Sequence, residues 1–278
     1  MYKNLLGVMQ GRLLPKYKGR YQAHPIGYWQ DEFKLAAEIG LDCIEFILDF
    51  NEFVENPLMS GFGISEIEKE MENSKVTVRS ICADYFMEAP LHSSDDTIVS
   101  QSQSVLKTLL DHSKLLGVKD IVIPCVDQSS LTSENDKDRF VKNLQPLLEV
   151  AEKTEINLSL ETDLAPEPFA ELLARFTSNR VTVNYDIGNS ASFGFDPQKE
   201  LACYGSKISD IHIKDRVLGG GSVILGSGNA NFDLFFETLR EFNYEGPFIM
   251  QAFRDDEGLS IFKTQLQWIK SKIEEFRK

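Results

Sequence analysis

The chain has 278 residues, 42% hydrophobic and 26% charged, a composition typical of a globular protein that buries a large core. Its 43 acidic and 29 basic residues give a net charge of −14, which argues against nucleic acid as a partner because phosphate backbones would be repelled. The first segment, residues 1–15, reaches polar positions too early for an export signal or a membrane span. We therefore expect a cytoplasmic protein without membrane contact.

Eight short runs rich in apolar and β-branched residues recur along the chain, and each is predicted to be a strand. They cover residues 5–10, 42–48, 76–82, 120–126, 156–161, 181–186, 208–213 and 247–252. Most of these runs are continuously apolar rather than alternating. Such runs are typical of a parallel sheet that is covered on both faces.

Helical patterns, with apolar residues three and four positions apart, lie between the strands. They cover residues 31–40, 102–117, 138–153, 232–242 and 260–276. Gly40 and Gly117 stand where two of these helices should end. Alternating strands and helices leave an open doubly wound sheet or a closed barrel, and eight strands favour a (β/α)8 TIM barrel of the α/β class. The whole chain, residues 1–278, is predicted to be one domain.

Two long non-helical connections, residues 11–29 and 216–232, follow predicted strands. Both are expected at the carboxyl-terminal rim of the barrel, where barrel enzymes build their sites. The second connection is glycine-rich between Gly219 and Asn231. Its backbone N–H groups are a candidate phosphate site, and a flexible loop without a ligand is the alternative.

The four cysteines are widely spaced, without a Cys-X-X-Cys motif, and three of them fall in or just after predicted strands. We expect buried free thiols rather than disulfides or zinc ligands at all four positions, which are Cys43, Cys82, Cys125 and Cys203.

Polar side chains stand at the ends of three successive predicted strands. Glu161 ends the fifth strand, Asp186 ends the sixth, and His212 lies near the end of the seventh. In a barrel these strand ends converge on one axis, and two carboxylates with an imidazole suit Mn²⁺, Zn²⁺, Co²⁺ or Mg²⁺. A strand-end cap or a salt bridge is the alternative for each carboxylate. Buried charges are costly, however, unless they are paired or bound to a metal.

Four motifs in chain order carry a resemblance to a known family: LSLETD (158–163), NYDIGNS (184–190), DIHIKDR (210–216) and LGSGNANF (225–232). Together they resemble the sugar phosphate isomerase/epimerase family of xylose isomerase-like barrels, and the similarity extends over the whole chain. The resemblance implies one divalent metal ion held at the ends of strands 5 to 8, by Glu161, Asp186, His212 and Gln251.

Gln251 departs from the family pattern, in which a second glutamate stands at this position. A glutamine amide can give a metal its oxygen, but it cannot accept a proton as a carboxylate can. Family members use the two glutamates as an acid and a base across an enediolate, and of that pair this chain retains Glu161. The reaction needs one base, or catalysis has been lost, or another group replaces the missing glutamate, with Asp84, Asp127, Asp163, Glu45 and Lys214 as candidates.

The sequence thus predicts a metal-dependent isomerase or 3-epimerase of a small ketose or ketose phosphate, with Glu161 as acid/base. A sugar- or metal-binding barrel without turnover is the alternative that Gln251 keeps open. AP endonucleases of the same superfamily share the barrel, but their site holds three metal ions and is rich in histidine. This chain has four histidines in all, which argues against a DNA-repair hydrolase. The predicted substrate contacts are Arg12, Asp84, Asp127, Lys214 and Arg216. The residues expected to orient the metal ligands are Asn189 and Asp215.

Overall fold

Eight parallel strands close into a barrel in this computed structural model, which describes residues 4–276. The strands are β1 (Leu6–Met9), β2 (Cys43–Ile47), β3 (Thr77–Cys82), β4 (Asp120–Cys125), β5 (Asn157–Thr162), β6 (Val181–Asp186), β7 (Ile208–Ile213) and β8 (Phe248–Met250). Strands that follow one another in the sequence pair with one another, and β8 pairs with β1. The predicted (β/α)8 barrel is confirmed.

Helices connect the strands. They are α1 (Gln30–Glu38), α2 (Gly61–Ser74), α3 (Tyr85–Glu88), α4 (Asp96–Leu116), α5 (Glu134–Thr154), α6 (Pro166–Ala174), α7 (Ile187–Phe193), α8 (Pro197–Tyr204), α9 (Phe232–Leu239) and α10 (Leu259–Phe276). After β7 the chain also forms a short antiparallel ribbon of Asp215–Arg216 and Ser222–Val223. Between residues 4 and 276, no helix is both long enough and apolar enough to cross a membrane.

The five predicted helices are present as α1, α4, α5, α9 and α10, whereas α2, α3, α6, α7 and α8 were not predicted. Helix α2 begins with two glycines, Gly61 and Gly63, whose low helical preference hides the helix from a sequence pattern. Gly63 is required because a Cβ there would lie 2.3 Å from the carbonyl oxygen of Pro57. Helix α7 consists mostly of small and polar residues with weak helical preference. It is held by its cap, since Asp186 Oδ1 accepts the backbone N–H of Asn189.

The barrel interior is apolar in one part and polar in another. A cluster of buried apolar side chains from five strands fills the first part: Met9, Cys43, Ile47, Cys82, Val122 and Ile249. Glu45 lies between Cys43 and Ile47 on the same face of β2, and it is fully buried. A buried polar side chain such as Glu45 is costly unless it is paired, so its partners in the barrel interior indicate why it is there.

The cysteines are free thiols, as expected. Cys43, Cys82 and Cys125 are buried, and burial raises the pKa of each thiol. The expectation of burial is wrong for Cys203, which is exposed near the end of α8. It lies on a helix instead of a strand, so one side of its neighbourhood is solvent.

Candidate metal and substrate site

Glu161, Asp186 and His212 come together at the carboxyl-terminal ends of β5, β6 and β7. Asp186 pairs directly with His212 in the strand register. One ligand atom from each of the three side chains lies within 4.8 Å of the other two, and all three residues are buried. The Nδ1 atom of His212 is 3.7 Å from Glu161 Oε2 and 3.9 Å from Asp186 Oδ2.

Neighbouring side chains hold the two carboxylates in this arrangement. Asn189 Nδ2 donates to Glu161 Oε1 at 2.6 Å, and Asn184 Nδ2 donates to Glu161 Oε2 at 3.3 Å. Lys214 Nζ donates to Asp186 Oδ2 at 3.1 Å. The carboxylates are therefore oriented by the chain itself.

The three groups affect one another's protonation. Burial, followed by the charge of Asp186, raises the pKa of Glu161 to about 7. Burial also opposes ionisation of Asp186, but nearby Lys214 and His212 outweigh it, and the pKa of Asp186 is lowered. For His212, burial is outweighed by Glu45 and by Asp186, and its pKa is raised well above the usual value. The lowered pKa of Asp186 and the raised pKa of His212 both show that the environment of these three side chains favours positive charge.

This donor set fits a divalent cation. Separations of 3.7 and 3.9 Å between donor atoms are compatible with one ion that contacts each donor at roughly 2.0 to 2.6 Å. Two carboxylates and one imidazole suit Mn²⁺, Zn²⁺ or Co²⁺, as well as Mg²⁺. Gln251 Oε1 is a buried acceptor without a hydrogen-bond partner among residues 4–276, so it is free to face a ligand.

A cavity of about 390 Å³ opens beside Glu161, the one residue of the three that lines it. Its size is in the usual range for small-molecule sites. Glu161 and Gln251 line this cavity, together with every predicted substrate contact: Arg12, Asp84, Asp127, Lys214 and Arg216. The apolar part of the wall includes Tyr21 and Phe50.

Arg12, a predicted substrate contact, lines the cavity and also bonds to the protein itself. It is buried, and its guanidinium donates to the carbonyl oxygens of Ala252 and Tyr21 and to Gln22 Oε1. These bonds tie the loop after β1 to the end of β8. The guanidinium therefore shapes the cavity wall.

Asp215 was expected to orient a metal ligand, and the structure corrects this expectation. Its carboxylate accepts the backbone N–H groups of Gly226, Gly228 and Ala230, at 2.8 to 3.1 Å. Much of the predicted phosphate loop thus already binds an anion of the chain itself. Gly221 and Ser222, in the first half of the loop, do line the cavity.

Asn189 links the ligand group to the two basic predicted contacts. Its Oδ1 accepts from Lys214 Nζ at 3.2 Å and from Arg216 at 2.8 Å, while its Nδ2 holds Glu161. Arg216 also donates to the carbonyl oxygen of Gly220. One amide therefore couples the glycine-rich loop to Glu161.

The structure separates the candidates for a second base. Glu45 is fully buried and bonded to His212 Nε2, and Asp163 is bonded to Ser130. Asp127 is exposed on the rim of the cavity. Lys214 is paired with Asp186.

Asp84 belongs to a network that reaches the position of the missing glutamate. Its Oδ2 accepts from Gln22 Nε2 at 2.7 Å, and Gln22 Oε1 accepts from Gln251 Nε2 at 3.0 Å. A single amide therefore separates Asp84 from Gln251. Burial raises the pKa of Asp84, against the hydrogen bonds that its carboxylate accepts from Gln22 and from the Cys82 thiol.

Gln22 and Asn184 were missed by sequence reasoning. Asn184 lies two positions before Asp186 on the same face of β6, so strand alternation is a signal that points to it. Gln22 belongs to the long loop after β1, and no periodicity predicts where a loop side chain points.

The protein is thus a closed α/β barrel, and its acidic and histidine side chains form a candidate divalent-cation site at the strand ends. A family model described as xylose isomerase-like TIM barrel matches residues 33–272. The chain belongs to this family.

Known proteins of similar sequence and fold are sugar epimerases and related barrels. L-ribulose-5-phosphate 3-epimerase UlaE of Shigella flexneri serotype 5b is 25% identical over 260 residues, covering 88% of this chain and 90% of that protein. D-allulose 3-epimerase from Methylomonas sp., solved in complex with D-allulose, has a TM-score of 0.74 at 18% identity, covering 98% of both chains. The IOLI protein, solved with a zinc atom, has a TM-score of 0.74 at 17% identity, covering 98% of this chain and 97% of that one.

Proposed function

We propose that the protein is a metal-dependent sugar isomerase or 3-epimerase that acts on a small ketose or ketose phosphate. The observation that carries this proposal is the group of Glu161, Asp186 and His212, whose ligand atoms lie within 4.8 Å of one another and of which Glu161 lines a small-molecule cavity. A relative that covers 88% of this chain is named as a 3-epimerase of a ketose phosphate, which supports the same substrate class.

A divalent cation fits the donors of Glu161, Asp186 and His212, and Gln251, which lines the same cavity as Glu161, is the proposed fourth ligand. When bound, it would supply positive charge beside the substrate oxygens that become negative as the proton leaves carbon. Gln251 brings no charge of its own, so this set holds one carboxylate fewer than the family pattern. We expect weaker cation binding than a three-carboxylate set gives.

Glu161 is the proposed base. Its carboxylate lines the cavity, and its pKa of about 7 suits proton transfer near neutral pH. In epimerisation it accepts the proton from the carbon next to the carbonyl group. The electron pair of the C–H bond becomes the second bond of C=C, and the carbonyl oxygen takes the negative charge of an enediolate.

Asp84 is the proposed second acid/base for epimerisation. Inversion requires a proton on the opposite face of the same carbon, and Asp84, which follows β3, lines the same cavity as Glu161 at the end of β5. The Asp84 carboxyl donates that proton, the carbonyl group forms again, and Glu161 is left protonated. Proton exchange with water in the cavity then restores both groups.

A phosphate of the substrate is proposed to lie beside Arg216, Gly221 and Ser222. These residues line the cavity near Lys214, whereas the amides of Gly226, Gly228 and Ala230 are bound to Asp215. A phosphorylated ketose should therefore bind more tightly than the free sugar.

The test is a panel of free and phosphorylated ketoses, incubated in D₂O with Mn²⁺ and followed by NMR. An epimerase incorporates deuterium at the inverted carbon. Glu161→Gln should lower turnover at least about a hundredfold, in line with the 10²- to 10⁴-fold of acid-base catalysis. Asp84→Asn should do the same for epimerisation, while Asp127→Asn should have a much smaller effect.

Two results would contradict these assignments. Loss of epimerisation in Asp127→Asn but not in Asp84→Asn would assign the second base to Asp127. Thermal stabilisation by a sugar without turnover of any panel member would replace the enzyme by a binding barrel.

A further inference from the structure

We propose that Glu45 is a positioning residue for His212, which holds the imidazole so that Nδ1 faces Glu161 and Asp186. The proposal rests on the proposed metal site and adds a residue that does not touch the ion. It concerns the polar part of the barrel interior, below the cavity.

Glu45 and His212 are in direct contact, away from solvent. His212 Nε2 lies 2.7 Å from Glu45 Oε1, and both side chains are fully buried. The second oxygen of Glu45 accepts the hydroxyl of Ser80 at 2.6 Å. Both carboxylate oxygens are thus occupied, and the side chain has one orientation available.

This contact determines which nitrogen of His212 is available as a ligand. A carboxylate accepts hydrogen bonds, so the proton of the bond lies on Nε2. Nδ1 is then the nitrogen left for a cation, and it lies 3.1 Å from Asn184 Nδ2, 3.7 Å from Glu161 Oε2 and 3.9 Å from Asp186 Oδ2. Carboxylates that orient a metal-bound histidine in this way typically change metal affinity by 10- to 100-fold.

A competing arrangement lies directly below. Glu45, Asp210 and His212 also bring ligand atoms within 4.8 Å of one another. Both oxygens of Asp210 are buried without a hydrogen-bond partner in the part of the chain that the structure describes. A cation there would use Nε2 of His212, which would then have no proton to donate to Glu45. The two arrangements exclude each other, and the 2.7 Å hydrogen-bond distance favours the first.

The experiment measures Mn²⁺ affinity by calorimetry in the full-length protein and three variants. Glu45→Gln should weaken Mn²⁺ binding by about 10- to 100-fold. Asp210→Asn is the matched control, because it also replaces a fully buried carboxylate in the lower group by its amide, and its affinity should stay within about threefold. Glu161→Gln replaces a charged ligand by a neutral one and should weaken binding strongly. If Glu45→Gln does not fold, Ser80→Ala releases the other carboxylate oxygen and should weaken binding several-fold.

A second readout does not depend on the metal. In protein labelled with ¹⁵N-histidine, the Nε2 atom of His212 should carry a proton both without metal and with diamagnetic Zn²⁺, and its signal should move in Glu45→Gln. His212→Ala assigns the signal among the four histidines.

Each outcome decides the proposal. Unchanged Mn²⁺ affinity in Glu45→Gln, or an Nε2 atom without a proton, would overturn it. Loss of affinity in Asp210→Asn together with unchanged affinity in Glu161→Gln would place the cation in the lower group and overturn it as well. If the wild-type protein binds no Mn²⁺, the metal in the proposed function fails, and the nitrogen signals still decide whether Glu45 positions His212.

Discussion

Gln251 is the residue at which the chemistry of this barrel diverges from a site with two glutamates. Its Nε2 is anchored to Gln22, and its Oε1 is a buried acceptor without a partner among the described residues. The oxygen of the amide therefore remains for a ligand. An amide oxygen can bind a cation but cannot remove a proton.

Gln251→Glu should raise Mn²⁺ affinity by about tenfold, because a negative ligand replaces a neutral one at a buried site. It should also raise or alter turnover on the ketose panel, since a second carboxylate returns beside Glu161. Calorimetry and NMR turnover assays measure the two effects. Gln128→Glu is the matched control, because it adds the same charge at an exposed position of the cavity wall. Equal gains in both variants would mean that net charge, and not ligation, is responsible.

At the scale of elements, helix α1 supports the loop that carries Arg12. Glu32 accepts the backbone N–H of Gly11 at 2.6 Å and that of Leu13 at 3.0 Å. Arg254 completes the support by donating to the carbonyl oxygens of Gly11 and Leu14. A buried charge is costly, and burial raises the pKa of Glu32 from 4.5 to about 7.

This raised pKa predicts a pH-dependent contribution to stability. The folded protein holds the Glu32 proton up to about pH 7 and the unfolded chain up to about 4.5, so the contribution is complete below pH 4.5 and is lost as pH rises through 7. Glu32→Gln cannot titrate. The loss in unfolding free energy between pH 5 and pH 8 should therefore be smaller in Glu32→Gln than in the wild type, by about 3 kcal/mol at most. Urea unfolding at both pH values measures it, and parallel losses in the two proteins would contradict the assignment.

For the whole molecule, the closure of β1 against β8 makes the barrel one sheet without edges. Gly7 lies at this closure, where a Cβ would meet Cys43 Sγ at 2.6 Å and Ile249 Cδ1 at 2.8 Å. Strand pairing therefore depends on the absence of a side chain at this position. A closed barrel of this kind is expected to unfold as one unit, as the proposed single domain requires.

Gly7→Ala should destabilise the protein by about 1 to 3 kcal/mol, because overpacking forces the strands apart. Trp29 in the loop before α1 and Trp268 in α10 report different parts of the chain, so fluorescence and far-UV circular dichroism should give one coincident urea transition. Gly61→Ala is the control, since nothing lies within 4 Å of its Cβ position. Two separate transitions would contradict the single domain.

The sequence by itself determined the barrel and the group of Glu161, Asp186 and His212. Hydrophobic runs report strands because burial acts locally, and parallel strands in a closed barrel necessarily bring their carboxyl ends together. No knowledge of side-chain orientation was needed to place these three residues near one another. Helix α7 was not predicted, because small polar residues carry little helical preference and its cap, Asp186, was assigned to the metal group alone.

The pairing of distant polar side chains was decided by the tertiary structure alone. Gln22 joins Asp84 and Gln251 across 62 and 229 positions of sequence, and Glu45 joins His212 across 167. Each pairing depends on the path of a loop and on the rotamers that a dense interior allows, and neither leaves a periodic trace in the sequence. Asp215 was misassigned for the same reason, because a carboxylate binds whichever donors the folded loop brings to it.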